Sequence, residues 1–330
     1  MKAILAAALL GAAGADEKRS VEALCPVDGF RFTAVEILST NSWGGRDADG
    51  CPHAFKTTPL EFLAWVCPSC GFAGLKKDFS AALSDEERRR LREGLKPAVP
   101  LRRGMRQDEI PGHVKFDLLA QTARLRGAPP AEVGRAYLYA SWSARQQGAP
   151  ALDDFEEWKA LLQRAGLHRL PLEVGRRNRT ELELEAAARL EADLRAGKAV
   201  GAPRALALYF AAWLYRRHGE NADAARLLEA LSPHEAENSV VAQAAARLRA
   251  SLPLERAYQE KAGAAYAAAF ESGALDPRTA AETAYLVGEL HRRRGDAVAA
   301  AAWYDRALGA PGATPEIKTL ASAQKARLPR

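Results

Sequence analysis

Beyond residue 70 this 330-residue chain has no cysteine, and it contains only two methionines. After residue 15 no apolar run is long enough to span a bilayer, so an integral membrane segment is not expected. Lys/Arg runs with interleaved aromatics are missing too. The excess of 47 basic over 41 acidic residues is small and interleaved along helix faces, which argues against a nucleic-acid groove. No Gly-rich phosphate loop, H-E-x-x-H pair or Ser/His/Asp grouping occurs, so the commonest hydrolytic and nucleotide-using chemistries have no anchor in the sequence. What is plentiful is alanine, the residue that loses no side-chain entropy on entering a helix, within a hydrophobic share of 48%. The length exceeds what one compact core usually holds, so two or more units are expected.

Met1 to Ala15 places one Lys before an uncharged apolar run that ends in Ala13-Gly14-Ala15, ahead of the charged Asp16-Glu17-Lys18-Arg19. That order is an n-region, an h-region and a cleavage site, and it predicts a signal peptide cut after Ala15 and a periplasmic or secreted bacterial protein. The mixed cluster Glu86-Glu87-Arg88-Arg89-Arg90 reads as a solvated helix face.

All four cysteines lie in the first 70 residues, and two of them open nearly the same word: C-P-V-D-G-F from Cys25 and C-P-S-C-G-F from Cys67. A Cys-Pro-x-Cys-Gly turn bends the backbone so that thiolates face one cation, and two facing turns of this kind close a tetrahedral structural zinc site. Cys67 and Cys70 are the firmest ligands, and Cys25 joins them because Pro26 and Gly29 keep the knuckle frame. The fourth ligand is Cys51, Asp28 or His53, in that order of preference. Cys51 offers a soft thiolate, whereas Asp28 is a harder oxygen donor that also belongs to an Asp-Gly turn signal. His53 lies two residues from Cys51. Two enzymatic alternatives stand beside structural Zn2+: thiol–disulfide exchange at Cys67/Cys70, and zinc-assisted hydrolysis at an open fourth position.

The only strand character lies before residue 80, in the alternating run Phe30 to Leu38 and the apolar run Leu60 to Val66. Between them Ser39 to Thr58 reads as a long loop in which Arg46, Asp47 and Asp49 would brace the head by salt bridges or meet a partner. Ser84-Asp85-Glu86-Glu87 is a capping box that starts a helix running to Gly94. Further helices are expected over His113–Arg126, Pro130–Gln147, Asp153–Ala165 and Glu173–Ala196. Leu206 to Leu231 then resembles Ala284 to Leu308. Each sets a basic turn and a glycine (Arg216-Arg217-His218-Gly219, Arg292-Arg293-Arg294-Gly295) between two short helices, with a small residue, Ala224 or Ala300, five positions on. This is tetratricopeptide-like spelling. Gly219 and Gly295 are about two 34-residue repeats apart, which puts an intervening degenerate pair over Asn238–Gly273 and a capping helix over Ala313–Leu328. The basic turns would complement helix dipoles. The aromatics Trp142, Trp158, Tyr209, Trp213, Tyr215, Tyr285, Trp303 and Tyr304 recur at helical spacing, as packing residues do.

The expected fold is therefore mainly α: a small β-rich zinc-ribbon-like module over 16–80, a helical connector over 81–128 and a tetratricopeptide-like helical array over 129–330. The string C-P-V-D-G-F … G-G-R-D-A-D-G-C-P-H … P-L-E-F-L-A-W-V-C-P-S-C-G-F-A resembles the head of a bacterial family, domain of unknown function 2225. The matching positions are Cys25, Arg46, Asp49, Cys51, His53, Cys67, Cys70, Gly71, Phe72 and Ala73. The likeness continues through Ile110–Phe116 and Tyr137–Arg145 into the helical tail, while Asp28 stands where the family has a second Cys. It implies the metal-bearing head and the helical tail, with Cys51 placed to complete the ligand set, and assigns no reaction. The reading that follows is a non-catalytic exported scaffold with structural zinc, whose helical tail receives a protein or peptide partner.

Overall fold

The computed structural model describes residues 17–39, 45–53, 59–147, 179–198, 202–237 and 239–329. The expected export signal, the helix expected over Asp153–Ala165 and Trp158 lie outside them.

Two small antiparallel hairpins form the head. β1 (Glu17–Leu24) pairs with β2 (Arg31–Ser39), Leu24 opposite Arg31, and β3 (Trp65–Val66) pairs with β4 (Ala73–Gly74), Val66 opposite Ala73. Each hairpin closes through one Cys-Pro word. β2 is the strand expected over Phe30–Leu38. The run Leu60–Val66 differs from expectation: Pro59, with φ −60°, sets a helical turn at Leu60–Leu63, and only Trp65–Val66 is strand. A short apolar run cannot separate these choices by periodicity, and the proline at its start decides it.

Helix α1 (Asp85–Gly94) starts at the expected capping box, with Glu87 N–H donating to Ser84 Oγ at 3.2 Å and Ser84 N–H to the Glu87 carboxylate at 2.9 Å. The remaining described helices are α2 (Gly112–Leu125), α3 (Pro130–Gln147), α4 (Arg179–Arg195), α5 (Ala202–Arg217), α6 (Asn221–Leu231), α7 (Ser239–Glu271), α8 (Pro277–Arg293), α9 (Ala297–Gly309) and α10 (Pro315–Ala326). The fold is mainly α with a small β module. Among the described residues no helix is long and apolar enough to cross a membrane.

The repeated spelling reappears as repeated geometry. In the α5–α6 turn Gly219 N–H bonds Arg216 C=O and Glu220 N–H bonds Tyr215 C=O; in the α8–α9 turn Gly295 bonds Arg292 and Asp296 bonds His291 in the same way. Both glycines have positive φ, 70° and 83°, a conformation glycine adopts without a Cβ penalty. Ala224 and Ala300 are fully buried where the paired helices touch.

The degenerate pair expected over Asn238–Gly273 is instead one helix, α7, which continues through Pro253. Its buried stripe, Leu248, Ser251, Glu255, Gln259, Ala262 and Tyr266, keeps helical spacing straight past the proline. No glycine lies in the first two thirds of the segment to end a helix, and continuous burial offsets the one hydrogen bond that Pro253 cannot make. α7 packs along α3 and reaches α5 and α8.

The head packs on α1 and α2 through a core of Val27, Val66, Phe72, Leu91, Ile110, Val114 and Leu118. A second core joins α2, α3, α7 and α8, a third joins α4 to α7, and a fourth the α8–α10 end.

Candidate metal centre

The two Cys-Pro words fold into the same turn. Cys25 N–H donates to Phe30 C=O at 2.9 Å and Gly29 N–H to Cys25 C=O at 3.0 Å; Cys67 N–H donates to Phe72 C=O at 2.8 Å and Gly71 N–H to Cys67 C=O at 2.9 Å. Gly29 and Gly71 both take positive φ, and at Gly71 a Cβ would also press on Pro97. The hairpins bring the two tips together, so that Cys25, Asp28, Cys67 and Cys70 offer ligand atoms all within 4.8 Å of one another. Cys25 Sγ lies 3.6 Å from Cys70 Sγ, and Cys67 Sγ 3.6 Å from Asp28 Oδ1. A tetrahedral zinc with bonds of about 2.0–2.3 Å has edges of about 3.3–3.8 Å, so the donors already sit at a zinc-sized spacing. All four cysteines are free thiols.

The electrostatics suit a cation. Hydrogen bonds from Cys25 and Cys70 drive the Cys67 thiol down to about 4, while the same pairing pushes Cys25 up. At Cys70 the bond from Cys25 pulls down, but Cys67 and burial prevail and push it up to about 12. Burial raises Asp28, yet the Phe30 N–H and the neighbouring thiols outweigh it and hold the carboxyl below its ordinary value. Three thiolates and a carboxylate would leave a divalent ion with net negative charge. Arg92, donating to Val27 C=O at 2.6 Å, and Arg103, donating to Ser69 Oγ at 3.3 Å, place one guanidinium on each knuckle against it.

The expectation that Cys51 completes this set is corrected by the geometry. Asp28 stands in the fourth corner, in register with Cys70, and its Oδ1 also accepts from Phe30 N–H at 3.1 Å. Its Asp-Gly turn aims the carboxylate rather than competing with it. Cys51 and His53 lie elsewhere, grouped with Asp47. Their loop folds on an Arg46–Pro52 bridge and is drawn into the helical body by its carboxylates.

That drawing-in is a buried ionic junction. Arg145 on α3, 1% exposed, donates to Asp47 Oδ2 at 2.8 Å, Asp49 Oδ2 at 2.5 Å and Glu255 Oε1 at 2.9 Å. Trp142 Nε1–H donates to Asp49 Oδ2 at 3.1 Å, and Tyr285 O–H to Ala48 C=O at 2.7 Å. Arg216 pairs with Glu255 and donates to Ser251 Oγ at 3.0 Å; Arg293 donates to Glu289 at 2.8 Å and to His218 C=O at 2.7 Å. The basic turns therefore do more than face helix dipoles: Arg216, His218 and Arg293 are interior. Asp47 and Asp49 brace the loop against the tail rather than the ribbon, while Arg46 stays exposed. The described aromatics of the tail pack between helices, as expected.

Around Asp47 the polar atoms crowd. His218 Nδ1 lies 2.8 Å and His53 Nε2 2.9 Å from the same oxygen, Oδ1, and His218 Nε2 lies 2.7 Å from Glu183 Oε2. Burial lowers His53. Burial would lower His218 too, but Asp47 and Glu183 outweigh it and raise it. Burial pushes the Cys51 thiol well up. Arg145, Glu183, His218 and Glu255 were not singled out as site residues from the sequence. Arg145 is the lone charge in the buried run Tyr137–Arg145, a signal that could have found it; Glu255 carries no such mark.

A family model described as an uncharacterized protein conserved in bacteria, domain of unknown function 2225, matches residues 18–252 and 205–328. The chain belongs to that family. Within this member, the match spans both knuckles, the inserted loop and both glycine-turn hairpins. No curated protein and no solved structure matches the chain.

Proposed function

We propose that the protein is an exported, non-catalytic scaffold. One structural Zn2+ held by Cys25, Asp28, Cys67 and Cys70 closes its head, and its helical hairpins receive a protein or peptide partner. The observation that carries the metal reading is the convergence of three thiols and one carboxylate, from two identical turns, at zinc-sized spacing. Four protein donors fill a tetrahedral shell, which is the mark of a structural rather than a catalytic zinc. Sulfur-rich donors with one oxygen favour zinc over magnesium or calcium. Export rests on the pattern of Met1 to Ala15, and the partner reading on the tendency of stacked helical hairpins to present binding surfaces.

Metal analysis with thiol titration of the full chain tests this. The expected result is zinc whose removal by chelator unmasks Cys25, Cys67 and Cys70 together. A metal-free protein that cycles a Cys67–Cys70 disulfide with a measurable potential would replace the scaffold by a redox enzyme.

A further inference from the structure

The cluster at the junction is chemically unlike the ribbon. Asp47, Cys51 and His53 offer ligand atoms within 4.8 Å of one another, and all three residues are buried. His218 reaches the same Asp47 oxygen from the α5–α6 turn, its ring 4.8 Å from that of His53. His53 Nε2, in a side chain 4% exposed, points at that oxygen without the alignment of a hydrogen bond and has no other partner. An imidazole nitrogen buried and aimed in this way is what an absent cation would satisfy.

We propose that Asp47, Cys51, His53 and His218 form a second site for a divalent transition metal of the zinc class, which pins the inserted loop to the turn of the α5–α6 hairpin. Two imidazoles, a thiolate and a carboxylate are ligands such ions accept. One thiolate and one carboxylate cancel the charge of a divalent ion, so the loaded site is neutral once the Cys51 thiol has released its proton to solvent.

The surroundings match those of a metal shell. A ligating histidine usually passes its other ring N–H to a carboxylate, and His218 Nε2 faces Glu183 at 2.7 Å. Asp47 gives Oδ2 to Arg145 at 2.8 Å, which leaves Oδ1 toward the two rings. Gln146 Nε2–H donates toward Cys51 Sγ at 3.8 Å, the kind of outer contact that steadies a bound thiolate. The Arg145 charge nearby is itself met by Asp49 and Glu255. A tetrahedral ion needs N···O edges of about 3.3 Å, so the rings would part from Asp47 by a few tenths of an ångström, and His218, which lies outside the 4.8 Å group of the other three, would also move in as the fourth ligand.

The two sites are separable because the ribbon set contains no histidine. Zinc K-edge absorption of the full chain, combined with metal content, is the decisive measurement. The expected result is two zinc per chain and imidazole scattering in the averaged shell. The His53→Gln variant, and independently Cys51→Ser, should bring the content down to one and leave the ribbon thiols protected. One zinc per chain with a shell of sulfur and oxygen alone would overturn the second site and leave the ribbon intact. Two zinc per chain that persist in a His53→Gln/His218→Gln double variant would also overturn it. Imidazole scattering with little sulfur would instead support this site and overturn the ribbon. Should the variants fail to fold, the wild-type spectrum still decides.

Discussion

The two cysteine-bearing regions of this protein are built on opposite principles. In the ribbon, each turn is closed by hydrogen bonds spanning five residues, and the same word written twice produces the same geometry twice. At the junction, Asp47 meets groups 98 and 171 residues away, from α3 and from the α5–α6 turn. In the proposed reading the ribbon draws stability from a cation, as small modules with little apolar core commonly do. The junction instead neutralises carboxylates with guanidiniums inside a helical body that already has an apolar core. A local motif tolerates little change in its own letters; a long-range network tolerates little change in any partner.

Metal removal should separate the regions most strongly, because apparent binding free energies of structural zinc run to about 10–16 kcal/mol. Chelation is expected to abolish the near-ultraviolet signal of the head and expose Cys25, Cys67 and Cys70 to a thiol reagent. Far-ultraviolet helicity should persist, and Cys51 should react last; simultaneous loss of both signals would erase the distinction.

Next in size is Arg145→Met, which removes the one guanidinium shared by Asp47, Asp49 and Glu255 in the interior. Removing one partner of a buried ion network costs about 3–5 kcal/mol, so the melting temperature should fall sharply while ribbon metal content stays unchanged. A wild-type melting temperature would show that the junction contributes little.

Acid should act on the junction through Glu220. Burial would raise this carboxyl, but Arg292, Arg293 and Arg327 outweigh it and hold it at about 2, against an ordinary value of 4.5. A carboxyl depressed in the folded state stabilises fully above its unfolded value, and that contribution is lost as pH falls from 4.5 toward 2. The loss amounts to up to about 3 kcal/mol. Glu220→Gln should lower the melting temperature at neutral pH and flatten its decline on acidification. Parallel melting curves for variant and wild type would remove Glu220 from the account.

The smallest contrast compares two glycines of similar φ. Gly29 has open space around its missing side chain, whereas a Cβ at Gly219 would fall onto the Arg293 guanidinium and crowd that of Arg145. Gly29→Ala should cost about 1 kcal/mol, the strain of a left-handed alanine, and Gly219→Ala about twice to three times that because the guanidinium must also move. Equal costs in chemical denaturation would mean that the junction yields easily.

These contrasts also explain what could be read in advance. The knuckles, β2, the capping box at Ser84 and both glycine turns were legible because each is decided within a few residues. The run Leu60–Val66 reads as strand in sequence because its outcome turns on Pro59, and a pair of helices is expected where α7 lies because the spacing of Gly219 and Gly295 leaves room for another repeat, whereas the buried stripe runs unbroken through the segment. Cys51 is assigned to the ribbon from sequence by the softness of its thiolate and by the family resemblance of its segment. Nothing within its own loop says that Arg145 draws Asp47 and Asp49, and Cys51 with them, into another core.

By itself the sequence determined the paired turns, their cysteines and the helical hairpins, since bond geometry, glycine conformation and helix periodicity act over short stretches of chain. Only the tertiary structure decided that Asp28 joins Cys25, Cys67 and Cys70 and that Cys51 and His53 gather around Asp47 with His218. Those choices depend on which hairpin tips face each other and which guanidinium a buried carboxylate finds, and both are fixed by packing between segments far apart in the chain.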